Sequence, residues 1–244
     1  MRGLKNAMAF LTTLPITGAG SVNHAMLPWF PVVGLFIGLF WAGCDALFAL
    51  FFPLPVRAVL DLLVLILITG GLHLDGLADA ADGIMAHRGR ERALEIMRDS
   101  RLGTWGAIAL FSILMLNLAA LSTLVTQDHA WRFFLLAPAY GRLAMLFGLR
   151  ALPYGRPEGG MASHLFGHTN VTPYWTVALA LISLAVYPAS LAIVSNLLAA
   201  AAMFGIIRIY RTTLGCITGD MIGALGEITQ MAFFIALTLG GVIV

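Results

Sequence analysis

Three aspartates near residue 80 are spaced so that one helix would present them together. Asp75, Asp79 and Asp82 follow an i, i+4, i+7 pattern, which places them on one helical face within about two turns. Carboxylates this close repel one another and have raised pKa values unless a cation neutralises them, and a hard divalent ion with oxygen ligands does so most directly. The spacing therefore predicts a metal site at Asp75, Asp79 and Asp82.

A second acidic pair lies near the C-terminus, at the start of an apolar run. Asp220 and Glu227 are seven residues apart and so share a helical face, and Gly215, Gly219 and Gly223 recur there at every fourth residue, which permits close helix packing. A carboxylate such as Glu227 inside hydrocarbon is costly and marks a function by default. Together the two acidic sets could hold one or two metal ions, or a metal and a general base.

The cationic half of the predicted site lies between the two acidic sets. Arg98 and Arg101 are three residues apart in the run Glu95–Thr104, and their planar guanidinium groups suit phosphate oxygens. Asp99 and Ser100, which lie between them, belong to the same candidate phosphate-binding segment.

The composition is that of a membrane protein. Hydrophobic residues make up 60% of the chain and charged residues 11%, with a mean hydropathy of +0.92, whereas about a quarter of the residues in soluble domains are charged. Residues 102–127 and 159–207 contain no Asp, Glu, Lys or Arg, and each run is long enough to cross the bilayer. The absence of a basic block with interleaved aromatic residues argues against nucleic-acid binding.

Hydropathy predicts a single all-α domain, residues 1–244, built as a polytopic bundle of about seven transmembrane helices with a short apolar segment before them. Helices are expected because backbone polar groups in lipid must be satisfied internally and the alternation of a β-barrel is missing. Whether the N-terminal segment crosses the membrane or lies along it is left open. The predicted spans are Pro28–Phe52, Arg57–Leu74, Thr104–Thr126, Trp131–Leu152, Tyr174–Tyr187, Ala189–Tyr210 and Ile222–Val244.

The distribution of Lys and Arg orients the predicted spans. With a cytoplasmic N-terminus, 11 of the 14 Lys and Arg residues lie at or near the cytoplasmic face, and only Arg57 and Arg132 lie outside. Arg142 remains inside the fourth span and needs an anionic partner, either a carboxylate such as Asp220 or a substrate phosphate. The acidic sets then share the cytoplasmic face, where we expect an active-site helix.

Carboxylates that hold Mg²⁺ beside arginines suit a reaction on a pyrophosphate. The metal bridges phosphate oxygens, the arginines spread the developing charge, and a hydroxyl attacks in line. The residues alone thus predict a metal-dependent phosphoryl-group transferase. Two alternatives remain open: a lipid-headgroup enzyme like the CDP-alcohol phosphotransferases, whose acidic motif has a different spacing, and an ion-coupled transporter with a relay through Asp45, Asp61, Arg142 and Glu227.

Several blocks of the sequence resemble the signature motifs of the cobalamin synthase family, the adenosylcobinamide-GDP ribazoletransferases. The resemblance is carried by the run Gly70–Gly83, by Glu95–Thr104, and by Thr218, Gly219 and Asp220 with Gly223, Ala224 and Glu227. Phe30 and Pro31, followed by Val33, Gly34, Ile37 and Gly38, resemble the family's first full span. The blocks are long, occur in order and extend over nearly the whole chain.

This resemblance implies a Mg²⁺-dependent enzyme of the bacterial inner (cytoplasmic) membrane. It would join α-ribazole, or its 5′-phosphate, to adenosylcobinamide-GDP and release GMP; a homo-oligomer is left open. Among the residues of this chain, the resemblance implies that Arg98 and Arg101 hold the diphosphate. It further implies metal ligands at Asp75, Asp79 and Asp82, of which we also retain Asp82 as a catalytic candidate, and leaves Asp220 or Glu227 to complete the metal site or to accept a proton.

Overall fold

The computed structural model describes residues 2–127, 129–156, 158–166 and 170–240. Within these residues the chain forms ten α-helices and two short 3-10 helices, at His24–Trp29 and Met161–Leu165, with no β-strand, which confirms the all-α prediction. The α-helices are α1 (Arg2–Leu11), α2 (Phe30–Phe48), α3 (Leu54–Thr69), α4 (Leu72–Met85), α5 (Arg90–Ile96), α6 (Thr104–Leu124), α7 (Trp131–Ala151), α8 (Thr172–Val186), α9 (Ala189–Thr213) and α10 (Gly219–Leu237).

Each of the seven segments predicted to span the membrane is helical in the structure. Among the described residues, five helical segments are long and apolar enough to cross a bilayer: His24–Phe48, α6, α7, α9 and α10. The bent pair of α3 and α4 is a sixth candidate if it counts as one span. With 15 residues, α8 extends only about 22 Å, less than the roughly 30 Å of hydrocarbon. The predicted end of the last span, residues 241–244, lies outside the described residues.

The core of the bundle is built on α7 and α10. These helices pack against each other, and α7 also packs against α2, while α10 also packs against α4 and α9. Gly34 and Gly38 allow the close contact of α2 with α7: a Cβ at Gly34 would lie 2.5 Å from Ala139 Cα, and one at Gly38 would lie 2.8 Å from the Phe134 carbonyl oxygen. Small residues of this kind let helix backbones approach in a lipid environment, where the hydrophobic effect does not drive helices together.

The second predicted span is interrupted by two consecutive glycines. It was expected to continue to Leu74, but α3 ends at Thr69 and α4 then turns by 88°. Gly70 and Gly71 have φ values of 64° and 69°, a region that glycine enters without steric cost, and the Gly71 N–H donates to the Ile66 carbonyl oxygen at 3.1 Å in a helix-ending motif. The 88° bend turns α4 away from the direction of α3, so α4 does not continue a straight span, and it is not one of the five helical segments long enough to cross a bilayer.

The N-terminal apolar segment forms the short helix α1. Its 10 residues extend only about 15 Å, so α1 cannot cross the membrane. Asn6 fixes the chain after it, because the Asn6 side chain accepts a hydrogen bond from the Gly20 N–H at 2.8 Å and donates one to the Ser21 carbonyl oxygen at 3.2 Å. Thr13 joins the end of this segment to α3: its N–H donates to the Ile68 carbonyl oxygen at 2.9 Å.

We predict that Gly38→Ala destabilises the protein by about 1–3 kcal/mol, because the new methyl group must push α2 away from α7. Gly43→Ala is the matched control on the same helix, since a Cβ at Gly43 meets no atom within 4 Å. Thermal unfolding of the purified variants in detergent measures the difference. Equal unfolding temperatures for the two variants would contradict the described packing of α2 on α7.

Candidate active site

A cavity of about 220 Å³ opens where α4 and α10 begin, next to α1, α2, α7 and the segment that follows α7. Its polar lining includes Asp75, Asp220, Arg156 and His73. One member of each predicted acidic set therefore lines the same cavity. This juxtaposition, which the spacing of either set alone does not fix, is the central feature of the site.

Two glycines allow the acidic sets to meet. A Cβ at Gly76 would lie 2.8 Å from the Asp220 carbonyl oxygen, and a Cβ at Gly223 would lie 3.2 Å from His73 Cα. Since a larger side chain at either position would force α4 and α10 apart, the distance between Asp75 and Asp220 depends on both glycines. The four-residue recurrence of glycine near Asp220 predicted close helix packing here, and the structure confirms it.

Asp79 is half-buried one turn after Asp75 on α4. Burial raises the pKa of the Asp79 carboxyl to about 6, and the charges of Asp75, Asp220 and Asp82 contribute to this rise. The four carboxyl groups thus act on one another. Among the described residues, no three His, Cys, Asp or Glu side chains form a group that could hold a metal ion by themselves. The acids fit instead the usual Mg²⁺ arrangement, in which one or two carboxylates bind the ion together with phosphate oxygens and water.

Asp82 is bound to the start of α6. Its Oδ2 accepts a hydrogen bond from the Gly103 N–H at 2.7 Å and its Oδ1 accepts one from the Gly106 N–H at 2.9 Å. A carboxylate is favourable here because the first N–H groups of a helix have no partner within the helix. Asp82 also lines an open surface depression of about 570 Å³ together with Asp99 and Arg101. Asp82 therefore lines this depression and not the cavity that Asp75 lines.

The arginines that the sequence predicted to bind phosphate lie at the surface rather than in the cavity. Arg101 Nη2 lies 2.5 Å from Asp99 Oδ2, and Arg98 is paired with Glu158. Ser100 is exposed between them. Arg98, Asp99 and Arg101 line a second open depression, of about 300 Å³.

Sequence reasoning missed the arginine that does line the cavity. Arg156 Nη2 donates to Asp220 Oδ2 at 2.5 Å and to the Met97 carbonyl oxygen at 3.3 Å, while its buried Nε has no hydrogen-bond partner among the described residues. Backbone pairing holds the segment in place, because the Gly155 N–H donates to the Ile217 carbonyl oxygen at 2.9 Å. The available signal was an arginine shortly after a predicted span, on the same predicted side as the acids.

Arg142 and Glu227 lie deeper, among the helices. Arg142 is 1% exposed, and its Nη1 donates to Gln230 Oε1 at 2.9 Å. The acid close enough to attract Arg142 is Glu227, not Asp220 as the sequence suggested, because Glu227 lies two turns further along α10 into the bundle. Glu227 Oε1 also lies 3.8 Å from Nδ1 of His73, which separates it from the cavity.

Asp45 and Asp61, the remaining members of the relay that a transporter would need, lie away from this site. Asp45 is 2% exposed and Asp61 is 0% exposed. Arg57 binds Asp45 through both carboxylate oxygens, with Nε–Oδ1 and Nη2–Oδ2 distances of 2.5 and 2.6 Å. An ion pair that joins α3 to α2 is a packing contact, and the grouping of Asp75, Asp79 and Asp220 where α4 and α10 meet favours an enzyme over a carrier.

Residues 3–238 match the family model described as cobalamin-5-phosphate synthase. Several curated relatives carry the name adenosylcobinamide-GDP ribazoletransferase. The relative from Chlorobium phaeovibrioides is 34% identical over 249 residues, which cover 97% of this chain and 96% of the relative. The relative from Roseiflexus sp. is 35% identical over 96% of this chain and 88% of its own length, and one from Synechococcus sp. is 36% identical over 98% and 97%. No solved structure has a significant match.

We predict that Asp82→Ala lowers the free energy of unfolding by about 2–3 kcal/mol, because two N–H groups at the start of α6 lose a charged acceptor. Asp75→Ala serves as the control on the same helix. We expect it to be neutral or slightly stabilising, since Asp75 is exposed and its removal relieves repulsion of Asp79. Thermal unfolding in detergent without Mg²⁺ separates the two variants. An Asp82→Ala variant as stable as Asp75→Ala would show that the contact with α6 contributes nothing.

Proposed function

Since the chain belongs to the cobalamin-5-phosphate synthase family, a family of membrane-embedded transferases of cobalamin biosynthesis, we propose that it joins α-ribazole, or its 5′-phosphate, to adenosylcobinamide-GDP. The observation that carries this proposal is the meeting of Asp75, Asp220 and Arg156 around one cavity, with Asp79 close enough to feel the charges of Asp75 and Asp220. Carboxylates for a metal, a guanidinium group for phosphate and a carboxylate able to accept a proton are what attack on a diphosphate requires.

In the proposed reaction, a ribose hydroxyl oxygen of α-ribazole attacks the phosphorus atom nearest the cobinamide. A new P–O bond forms, the phosphoanhydride bond to GMP breaks, and GMP leaves with the bridging oxygen. The proton of the attacking hydroxyl passes to a carboxylate of the enzyme. The products are adenosylcobalamin, or its 5′-phosphate, and GMP.

We assign Asp75 and Asp79 as the residues that would hold a Mg²⁺ ion. When bound, this ion would neutralise phosphate charge and polarise the phosphorus centre. Arg156 is suited to the phosphate oxygens, because its Nε has an unused donor beside the cavity. Asp82 is hydrogen-bonded to the start of α6. In this scheme it positions α4 and does not contact α-ribazole. Arg98 and Arg101 lie along the open depressions, where they can attract the nucleotide end of the larger substrate.

Asp220 is the better candidate for the general base. A base must come within hydrogen-bond reach of the proton it removes, and Asp220 lines the cavity, whereas Glu227 is separated from it by His73. The ion pair with Arg156 holds the Asp220 carboxylate at the edge of the cavity. Glu227 is then a partner for the buried charge of Arg142.

The distribution of arginines supports a cytoplasmic position for the site, in the inner membrane of a bacterium. Arg88, Arg90 and Arg92 lie between α4 and the first turn of α5, close to the acidic helix along the chain. Positive residues of this kind are enriched at the cytoplasmic ends of membrane spans.

We predict that the purified protein releases GMP from adenosylcobinamide-GDP in the presence of α-ribazole and Mg²⁺. Asp79→Asn and Asp220→Asn should each reduce the rate by about 10²–10⁴-fold, because each removes a charge that the transition state requires. Glu91→Gln, which neutralises an exposed acid on α5, should retain full activity. Chromatographic measurement of GMP gives the rates.

Two outcomes would contradict the proposed function. Full activity in Asp220→Asn would exclude the assigned base, and full activity in Asp79→Asn would exclude its role with the metal. If the wild-type protein released no GMP but consumed a CDP-linked lipid, the lipid-headgroup alternative would replace the proposed reaction.

A further inference from the structure

The lining of the cavity includes an apolar wall beside its charged residues. Phe10 of α1, Phe30 of α2, Met145 of α7 and Met161 and Leu165 of the 3-10 helix Met161–Leu165 all line it. Four different parts of the chain thus contribute apolar residues to one amphiphilic space. A site that bound only phosphates and a metal would not need an apolar wall of this extent.

Three of the side chains that form this wall are already buried in the structure. Phe30 is 1% exposed, and Met145 and Leu165 are each 2% exposed. The rings of Phe10 and Phe30 stack with their centroids 6.3 Å apart and their planes 25° from parallel. Because these side chains are packed, binding of a flat apolar group would require little reordering. Thioether groups such as those of Met145 and Met161 contact aromatic rings favourably.

The size of the cavity distinguishes between the two proposed substrates. Its volume of about 220 Å³ falls below the roughly 300–1,000 Å³ of pockets for drug-sized ligands. That space suits one compact ring system with part of a sugar and excludes a corrinoid. Of the aromatic bases in the two substrates, the least polar is that of α-ribazole, a benzimidazole with two methyl groups, whereas the guanine and adenine of adenosylcobinamide-GDP carry amino groups.

Polarity points in the same direction. A guanine base carries hydrogen-bonding groups along its edge, and burial of these groups against Phe and Met side chains without partners would be costly. Adenosylcobinamide-GDP also carries the charges of two phosphates. The open depressions contain Arg98 and Arg101 and measure about 300 and 570 Å³, so they suit the nucleotide end of that substrate better.

From this geometry we infer that the apolar wall formed by Phe10, Phe30, Met145, Met161 and Leu165 is the subsite that binds the aromatic base of α-ribazole. The inference rests on the proposed function. With the base against this wall, the ribose would reach Asp220 and Arg156, which line the same cavity. The subsite thereby determines which base is joined to the corrinoid.

This assignment also gives α1 a role. A helix too short to cross the membrane is nevertheless fixed to the body of the protein, since Thr13 Oγ1 donates to the Leu67 carbonyl oxygen at 2.9 Å, next to the glycine bend. Thr13 thereby joins the segment carrying Phe10 to the turn that directs Asp75. A shift of α1 would therefore change the base subsite and the acidic helix together.

Two alanine variants test the inference. Met161 is 65% exposed, so Met161→Ala should not disturb folding, and Phe10→Ala removes an aromatic ring from the wall. Phe111→Ala on α6 is the matched control, because Phe111 is 67% exposed and lies on a different helix. The binding of α-ribazole alone, measured by equilibrium dialysis in detergent, should weaken about tenfold or more in Met161→Ala and Phe10→Ala and should not change in Phe111→Ala.

Steady-state kinetics add a second readout. KM for α-ribazole should rise in both cavity variants while KM for adenosylcobinamide-GDP stays at the wild-type value. Both variants should also discriminate less between α-ribazole and the riboside of unsubstituted benzimidazole, which lacks the two methyl groups.

Unchanged α-ribazole binding in both cavity variants would overturn the inference, as would a rise in KM for adenosylcobinamide-GDP in place of α-ribazole. Failure of the proposed function gives a different result. In that case the wild-type protein releases no GMP, and the dialysis experiment still decides whether the wall binds α-ribazole.

Discussion

The close contact between α4 and α10 is the constraint on which the site depends. Gly76 lies against the backbone of Asp220, and Gly223 lies against His73. These two glycines therefore set the distance between the carboxylates of Asp75 and Asp220, which are 145 residues apart in the sequence. In lipid, where the hydrophobic effect does not drive helices together, such contact between small residues is a principal source of packing energy. The contact that stabilises the bundle therefore also positions the chemistry.

Four carboxyl groups near one another would be unstable without compensation, and the structure gives two of them a separate partner. Asp82 accepts two N–H groups at the start of α6, and Asp220 is paired with Arg156. Asp75 remains exposed to solvent. Asp79 is half-buried, and burial together with the charges of Asp75, Asp220 and Asp82 raises the pKa of its carboxyl. It is therefore the position where an added cation relieves the most repulsion, which is why we assign it to the metal.

Local patterns in the sequence predicted the helices well. The bounds of α6 and α7 agree closely with the predicted spans Thr104–Thr126 and Trp131–Leu152, and the aspartates at i, i+4 and i+7 do share a helix. Hydropathy did not reveal the bend after Thr69, because a window average is insensitive to two residues with positive φ. The pairing of Arg156 with Asp220 and of Arg142 with Gln230 joins positions 64 and 88 residues apart. The local periodicity of a sequence does not show which residues pair over such separations.

The bend between α3 and α4 places α4 where the continuation of a straight helix would not lie. Turned by 88°, α4 presents Asp75 to the small cavity and Asp82 to the open depression, with Asp79 between them. Seven residues of helix separate the two ends by about 10 Å. An acceptor in the cavity and a larger phosphate donor in the depression would then approach Asp79 from opposite directions. In-line displacement at phosphorus requires this relation between the attacking and leaving groups, and α4 borders both sites at once.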